Sequence, residues 1–216
     1  MKKQYFVLIA LIILALLFAF GSNLYRQKQT ENYESMAKAE PSVLIREHSQ
    51  TLGDDNAKVA LIEFTDPGCE TCSAFHPFVK QLLNAYPGKI KLVVRYAPFH
   101  KGADQMVKIL EAAKKQGKYW ETLEVMYRTQ DQWASHHKPQ PELIWRFLPQ
   151  AGLDLDKLRE DMTDPAIAKI IEQDLADAKV LNVTKTPGFF VNGKPLTSFG
   201  REQLQRLVES EIKEMY

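Results

Sequence analysis

Apolar positions run unbroken from Tyr5 to Phe20, thin out, and then return as two short blocks and a long periodic series. The first block, Val59-Ala60-Leu61-Ile62-Glu63-Phe64-Thr65, is short, apolar and followed by turn residues, which predicts a buried central strand. Phe75, Phe78, Val79, Leu82 and Leu83 then recur at helical spacing until Pro87-Gly88, with Pro77 placed to kink the helix. Lys89 to Tyr96 begins by alternating and turns apolar, a second central strand that makes a parallel βαβ unit with the first.

From about residue 103 to 182 the pattern is helical throughout. Met106, Ile109, Leu110 and Ala113 form one stripe, Trp120, Leu123, Met126 and Tyr127 another, and Leu143, Ile144, Phe147 and Leu148 a third. Leu155, Leu158 and Met162 continue the series, then Ile167, Ile170, Ile171 and Leu175, with Gly117, Pro139, Pro141, Gly152 and Pro165 as breakers. Such stripes are core, so this stretch reads as an inserted helical subdomain. Strand character resumes at Phe189 to Val191. Asn192-Gly193 signals a hairpin into a partner strand around Pro195 to Thr197, and Leu204, Leu207, Val208, Ile212 and Met215 mark a terminal amphipathic helix. The class is α/β, with a helical insertion.

The N-terminal run follows Lys2 and Lys3 and meets no further charge before Arg26, which is the pattern of an export signal. With Gly21 to Tyr25 it reaches the roughly 20 residues needed to span a bilayer, and the favoured reading of residues 1–25 is an uncleaved signal anchor. Ala19-Phe20-Gly21 also resembles a cleavage site, so a cleaved signal peptide stays open. Either way the remainder is expected outside the cytoplasm, single-pass in a bacterial inner membrane or soluble in the periplasm. Residues 26–55 are polar and read as a spacer, in which Val43, Leu44 and Ile45 form a short edge strand or a packing segment. Gly53-Asp54-Asp55-Asn56 is the turn that opens the domain, taken as residues 56–216.

Charge adds only an exclusion. Without Lys2 and Lys3 the 28 basic residues become 26 against 27 acidic ones, and no basic stripe interleaved with aromatics is present, so nucleic acid is not an expected partner.

The only two cysteines stand at Cys69 and Cys72, a spacing that chance would give about one time in a hundred. Cys69 falls at the predicted helix N-terminus, behind the permissive backbone of Gly68, where unpaired N–H groups and the positive dipole end favour a thiolate. Cys72, one turn inward, is expected to be more buried and to resolve. A structural disulfide across so short a loop would restrict the unfolded chain little. Zinc wants about four ligands, and only His76 and the His136-His137 pair accompany the cysteines. No metal and no cofactor is therefore expected. Glu63 stands in an apolar strand, exposed at an edge or buried; if buried, its pKa is raised and it serves as proton acceptor for Cys72. His76 and His100 are expected to be surface or satisfied histidines.

The order strand, C-x-x-C, helix, strand, helical insertion, Thr-Pro, strand, Asn-Gly hairpin and terminal helix resembles the thioredoxin fold in its DsbA-like, helix-inserted form, over about residues 56 to 216. The resemblance implies that Thr186-Pro187 is a cis-proline loop facing the cysteines and offering backbone groups to substrate. It also implies that Glu63 is the buried acid beneath the resolving cysteine, and Pro77 the kinking proline. The implied activity is thiol:disulfide exchange with protein substrates, with a quinone-linked oxidase or a transmembrane reductase as membrane redox partner. Glu70-Thr71 replaces the Pro-His dipeptide of the strongly oxidising relatives. A carboxylate at Glu70 raises the Cys69 pKa, so Glu70 and Thr71 are expected to tune the couple towards a less oxidising one. A tethered reductase or isomerase, and a non-catalytic metal-binding or interaction module, remain alternatives; the absence of a dimerisation domain in this sequence speaks against a large dimeric isomerase.

Overall fold

The computed structural model describes residues 2–39, 41–134 and 138–216, with side chains at 8–9, 11–25, 27–28 and from 43 onward. A long helix α1 (Lys2–Ala39) and one turn α2 (Pro41–Leu44) precede strands β1 (Gln50–Gly53) and β2 (Val59–Thr65). Helix α3 (Glu70–Ala85) and β3 (Ile90–Tyr96) follow. Among the described residues the elements between β3 and β4 are all helical: α4 (Ala103–Lys115), α5 (Tyr119–Arg128), α6 (Pro141–Ile144), α7 (Leu155–Asp161) and α8 (Pro165–Val180), with 3-10 turns at Gln130–Gln132 and Leu148–Ala151. Strands β4 (Gly188–Val191) and β5 (Lys194–Pro195) and helix α9 (Arg201–Met215) complete the chain.

The sheet runs β1-β3-β2-β4-β5. β2 and β3 are parallel, as βαβ connection requires, and the other pairings are antiparallel. Both faces of the two central strands are covered, which is why they read as nearly continuous apolar runs. Val59, Leu61, Ile90, Leu92, Val94 and Tyr96 pack with α3, α9 and the insertion, while Ile62, Phe64 and Val93 pack with Val43, Leu44, Ala178 and Leu181. Residues two apart on a strand share a face, so Glu63 and Thr65 point with Leu61 towards α3.

Val43 and Leu44 are buried as a helical turn rather than an edge strand. The edge strand is β1, inside the stretch expected to be spacer. Its sequence, Gln50-Thr51-Leu52-Gly53, carries one large apolar residue and is only partly buried, so it leaves little pattern to read. Arg95 breaks the apolar run of β3 without leaving the interior. Its side chain, fully buried, donates to Asp174 at 2.7 and 3.0 Å, to Asp177 at 2.5 Å and to the Val43 carbonyl at 2.7 Å. Arg46 adds two bonds to Asp177, and His48 meets Asp174 at 2.6 Å. Burial of these charges is tolerable only because each finds such partners.

Among the described residues no helix is long and apolar enough to cross a membrane. Part of the expected anchor, Tyr5 to Val7 and Ala10, lies outside the described side chains; those described from Leu8 to Leu24 include many exposed apolar ones.

Candidate active site

The loop between β2 and α3 is held before any cysteine chemistry is considered. Asp66, fully buried, accepts from the Gly68 N–H at 2.7 Å and the His100 N–H at 2.9 Å, and pairs with His100 Nδ1 at 2.7 Å. The Asp66 carbonyl accepts from the Cys69 N–H at 2.9 Å. Gly68 is required here for space: a Cβ would stand 2.5 Å from Cγ of Pro139, and its backbone is not in the left-handed region. From the insertion, buried Gln130 donates Nε2 to the Pro67 carbonyl at 2.8 Å and the Cys69 carbonyl at 3.2 Å. These bonds fix Cys69 as the N-cap residue of α3, with extended backbone at φ −84° and ψ 119°.

Both cysteines are free thiols, Cys69 at 4% exposure and Cys72 at 0%. The Cys69 thiol is pulled from an ordinary 9.0 down to about 5, chiefly by its hydrogen bond with Cys72. Burial opposes that pull, and the Thr186 side chain and the backbone N–H groups of Cys72 and Thr71 add to it. Cys72 moves the other way, pushed up by burial first, then by Cys69 and by the charge of Glu63. One thiol is thus prepared to ionise, and its neighbour to hold a proton. Glu70 is exposed, at the first position of α3.

Glu63 is buried between Val94 of β3 and Phe189 of β4, and burial raises its carboxyl from 4.5 to about 8. A hydrogen bond with Thr65 partly offsets that rise, and Cys69 adds to it. The peptide bond between Thr186 and Pro187 is cis, and the Cys69 thiol donates to the Thr186 carbonyl at 3.3 Å. Beside them opens a groove of about 610 Å³ whose walls include Thr71, Thr186, Pro187, Leu196 and Phe199. Phe199 is half exposed and its ring lies 4.7 Å from that of Phe75.

Cys69, Cys72, Glu63, Thr71, Thr186 and Pro187 therefore converge, whereas Glu70 faces solvent. Pro77 lies inside α3, away from the pair. His76 is buried and meets Glu124 at 3.0 Å. His136 and His137 lie outside the described residues, and among those described no three His, Cys, Asp or Glu side chains are grouped to hold a metal ion. Sequence reasoning missed Asp66, Gln130 and the partner of His100. Asp66 had a signal, since Asp before Pro-Gly is a residue that bonds a backbone N–H two places on.

A dithiol at a strand-to-helix turn, with a cis-proline loop across from it and helices inserted in the sheet, defines the thioredoxin class in its DsbA-like form. The chain belongs to the thioredoxin family, whose family model matches residues 45–210. A solved thioredoxin-like oxidoreductase from Silicibacter pomeroyi is 27% identical, with a TM-score of 0.69 over 80% of this chain and 97% of that one. Alpha-DsbA2 of Wolbachia pipientis (21% identity, TM-score 0.71, 85% and 97% covered) and BdbD of Bacillus subtilis (22%, 0.67, 76% and 93%) share the fold. Among curated proteins, the Na(+)/H(+) antiporter NhaA 3 of Salinispora tropica is 33% identical over 145 residues. That match takes in 66% of this chain but only 21% of the antiporter, so the chain spans about a fifth of that relative's length.

Proposed function

We propose that this chain is an extracytoplasmic thiol:disulfide oxidoreductase that exchanges disulfides with protein substrates through Cys69 and Cys72. The observation that carries the reading is Cys69 itself, a thiol ionising near pH 5 at a helix N-terminus, beside the Thr186-Pro187 loop. In the reducing direction the Cys69 thiolate attacks a substrate disulfide; that bond breaks, one substrate sulfur leaves as thiolate, and the other is joined to Cys69. Cys72 passes its proton to Glu63 and attacks Sγ of Cys69. The Cys69–Cys72 bond forms as the mixed disulfide breaks, and the second substrate thiolate leaves. Reversed, the same steps deliver a disulfide to a dithiol substrate. Thr186 and Pro187 line the groove in which the substrate chain lies.

A Cys69 pKa of about 5 falls between the roughly 7 of thioredoxin and the roughly 3.5 of DsbA, which supports a couple less oxidising than the Pro-His type. The apolar run behind Lys2 and Lys3 supports export, with residues 1–25 as anchor and a membrane redox partner, a quinone-linked oxidase or a transmembrane reductase, recharging the pair. Insulin reduction and refolding of a reduced substrate test the activity. Wild type is expected to show both and Cys69→Ser neither; wild type inert in both assays would leave only a binding module.

A further inference from the structure

Asp66 and His100 belong to two different loops. Strands β2 and β3 are parallel neighbours whose last residues, Thr65 and Tyr96, are in register, and the Ala97 N–H donates to the Thr65 carbonyl at 2.8 Å. The two loops therefore leave the sheet side by side, one towards the cysteines and the other towards α4. Asp66 is fully buried and uses both carboxylate oxygens: Oδ1 takes the Gly68 N–H, and Oδ2 meets the N–H and Nδ1 of His100. An ionised carboxylate has no hydrogen to give, so Nδ1 of His100 is the donor in that last bond. A buried carboxylate is tolerated only with such donors, and His100 supplies two of these three.

Cys69 depends on that arrangement. Its own side chain makes no capping bond at the start of α3, so the first turn of the helix is held from outside. The turn Asp66-Pro67-Gly68-Cys69 holds it, closed by the Cys69 N–H on the Asp66 carbonyl at 2.9 Å and by the Gly68 N–H on the Asp66 carboxylate at 2.7 Å. Gln130 secures the Pro67 and Cys69 carbonyls of the same turn. His100, with a quarter of its side chain exposed, closes the arrangement on the solvent side.

We infer that His100, acting through Asp66, is a positioning residue of the redox centre: its ring holds the buried carboxylate that holds the turn presenting Cys69. The inference rests on the reading of Cys69 as the attacking thiol. Loss of the ring has two effects of the same sign. The turn loosens, so Cys69 is less well placed against the N–H groups of Thr71 and Cys72 that favour its thiolate. The Asp66 carboxylate also loses a donor, and so presents more of its charge to a thiolate three residues along the chain. Each makes Cys69 harder to ionise. Cys72 and Glu63, the other titratable groups that act with Cys69, stay in place when His100 is changed.

The pH profile of Cys69 alkylation by iodoacetamide, with the labelled residue identified by mass, tests this. His100→Leu is expected to move the midpoint up by about one unit, leaving about tenfold less reactive thiolate at pH 4. In His100→Asn the side-chain amide nitrogen stands where Nδ1 stands, so the wild-type midpoint should return. A ring that merely filled space would move no midpoint and would not be replaced by asparagine. His100→Ala, which only shortens a partly exposed side chain, gives the same reading if leucine is not accommodated. An unmoved midpoint in His100→Leu or His100→Ala, or a shift that His100→Asn does not reverse, would overturn the inference while an acidic wild-type midpoint keeps the redox reading. A wild-type midpoint at the ordinary 9.0 would overturn that reading, and the inference with it.

Discussion

The Cys69 thiol lies 3.3 Å from the carbonyl oxygen of Thr186, the residue before Pro187, so the reactive sulfur and the wall of the groove are in direct contact. On ionising, Cys69 gives up that bond and is held instead by Cys72, the Thr186 side chain and the first N–H groups of α3. Alkylation of Cys69 is expected to rise with pH around a midpoint of about 5, with Cys72 inert across the same range. Cys72→Ala removes the largest pull, so the midpoint should climb towards the ordinary 9.0. Mass spectrometry of the alkylated protein reads both.

Glu63 costs stability where it is useful. It ordinarily ionises at 4.5 and here near 8, so the folded chain holds a proton that the unfolded chain releases. The advantage of the folded state is complete below about pH 4.5 and is lost as pH rises towards 8. At pH 7 the penalty is about 3 kcal/mol. Glu63→Gln is therefore expected to make the dithiol protein more stable at pH 7 by about that amount, and to flatten its stability between pH 5 and 8, while slowing attack by Cys72. Denaturant unfolding across pH checks it; a less stable variant would contradict it.

Gln130 ties the insertion to the active-site loop. Gln130→Ala leaves the buried Pro67 carbonyl without that donor, and the expected loss is about 1–3 kcal/mol, read as a lower midpoint of thermal unfolding.

Arg95 lies on the other face of the sheet. Arg95→Met leaves Asp174 and Asp177 buried beside each other without their main cation, and about 3–5 kcal/mol of stability should be lost. Asp177 is held below its ordinary 3.8 against burial, by Arg46 and Arg95. Its contribution is present above that value and lost as pH falls below it, so the deficit of the variant should shrink in acid. Unfolding at neutral and acid pH measures both effects.

Most of the frame was legible because β2, α3 and β3 are buried on both sides or along one stripe, and burial writes itself into local periodicity. The dithiol was legible from spacing, whereas the apolar neighbours of Glu63 left it either edge-exposed or buried until β3 and β4 were seen to flank β2. What was not legible depends on partners far away in sequence. Nothing in the sequence around Arg95 points to Asp174 and Asp177, which the fold brings beneath it. Tyr127 reads as an ordinary stripe residue until its phenol meets Thr65. Gly68 was expected to serve backbone freedom, yet it serves the close approach of Pro139. Strand β1 escaped because an edge strand needs little apolar surface.

Equilibration of the Cys69–Cys72 pair against a graded dithiol/disulfide buffer, with the remaining thiols counted by mass, tests the account most directly. The expected result is one two-electron transition losing two thiols, at a potential between about −270 mV and about −120 mV, the values of thioredoxin and DsbA. A pair that stays reduced across the whole range, or a transition at or above about −120 mV, would contradict it.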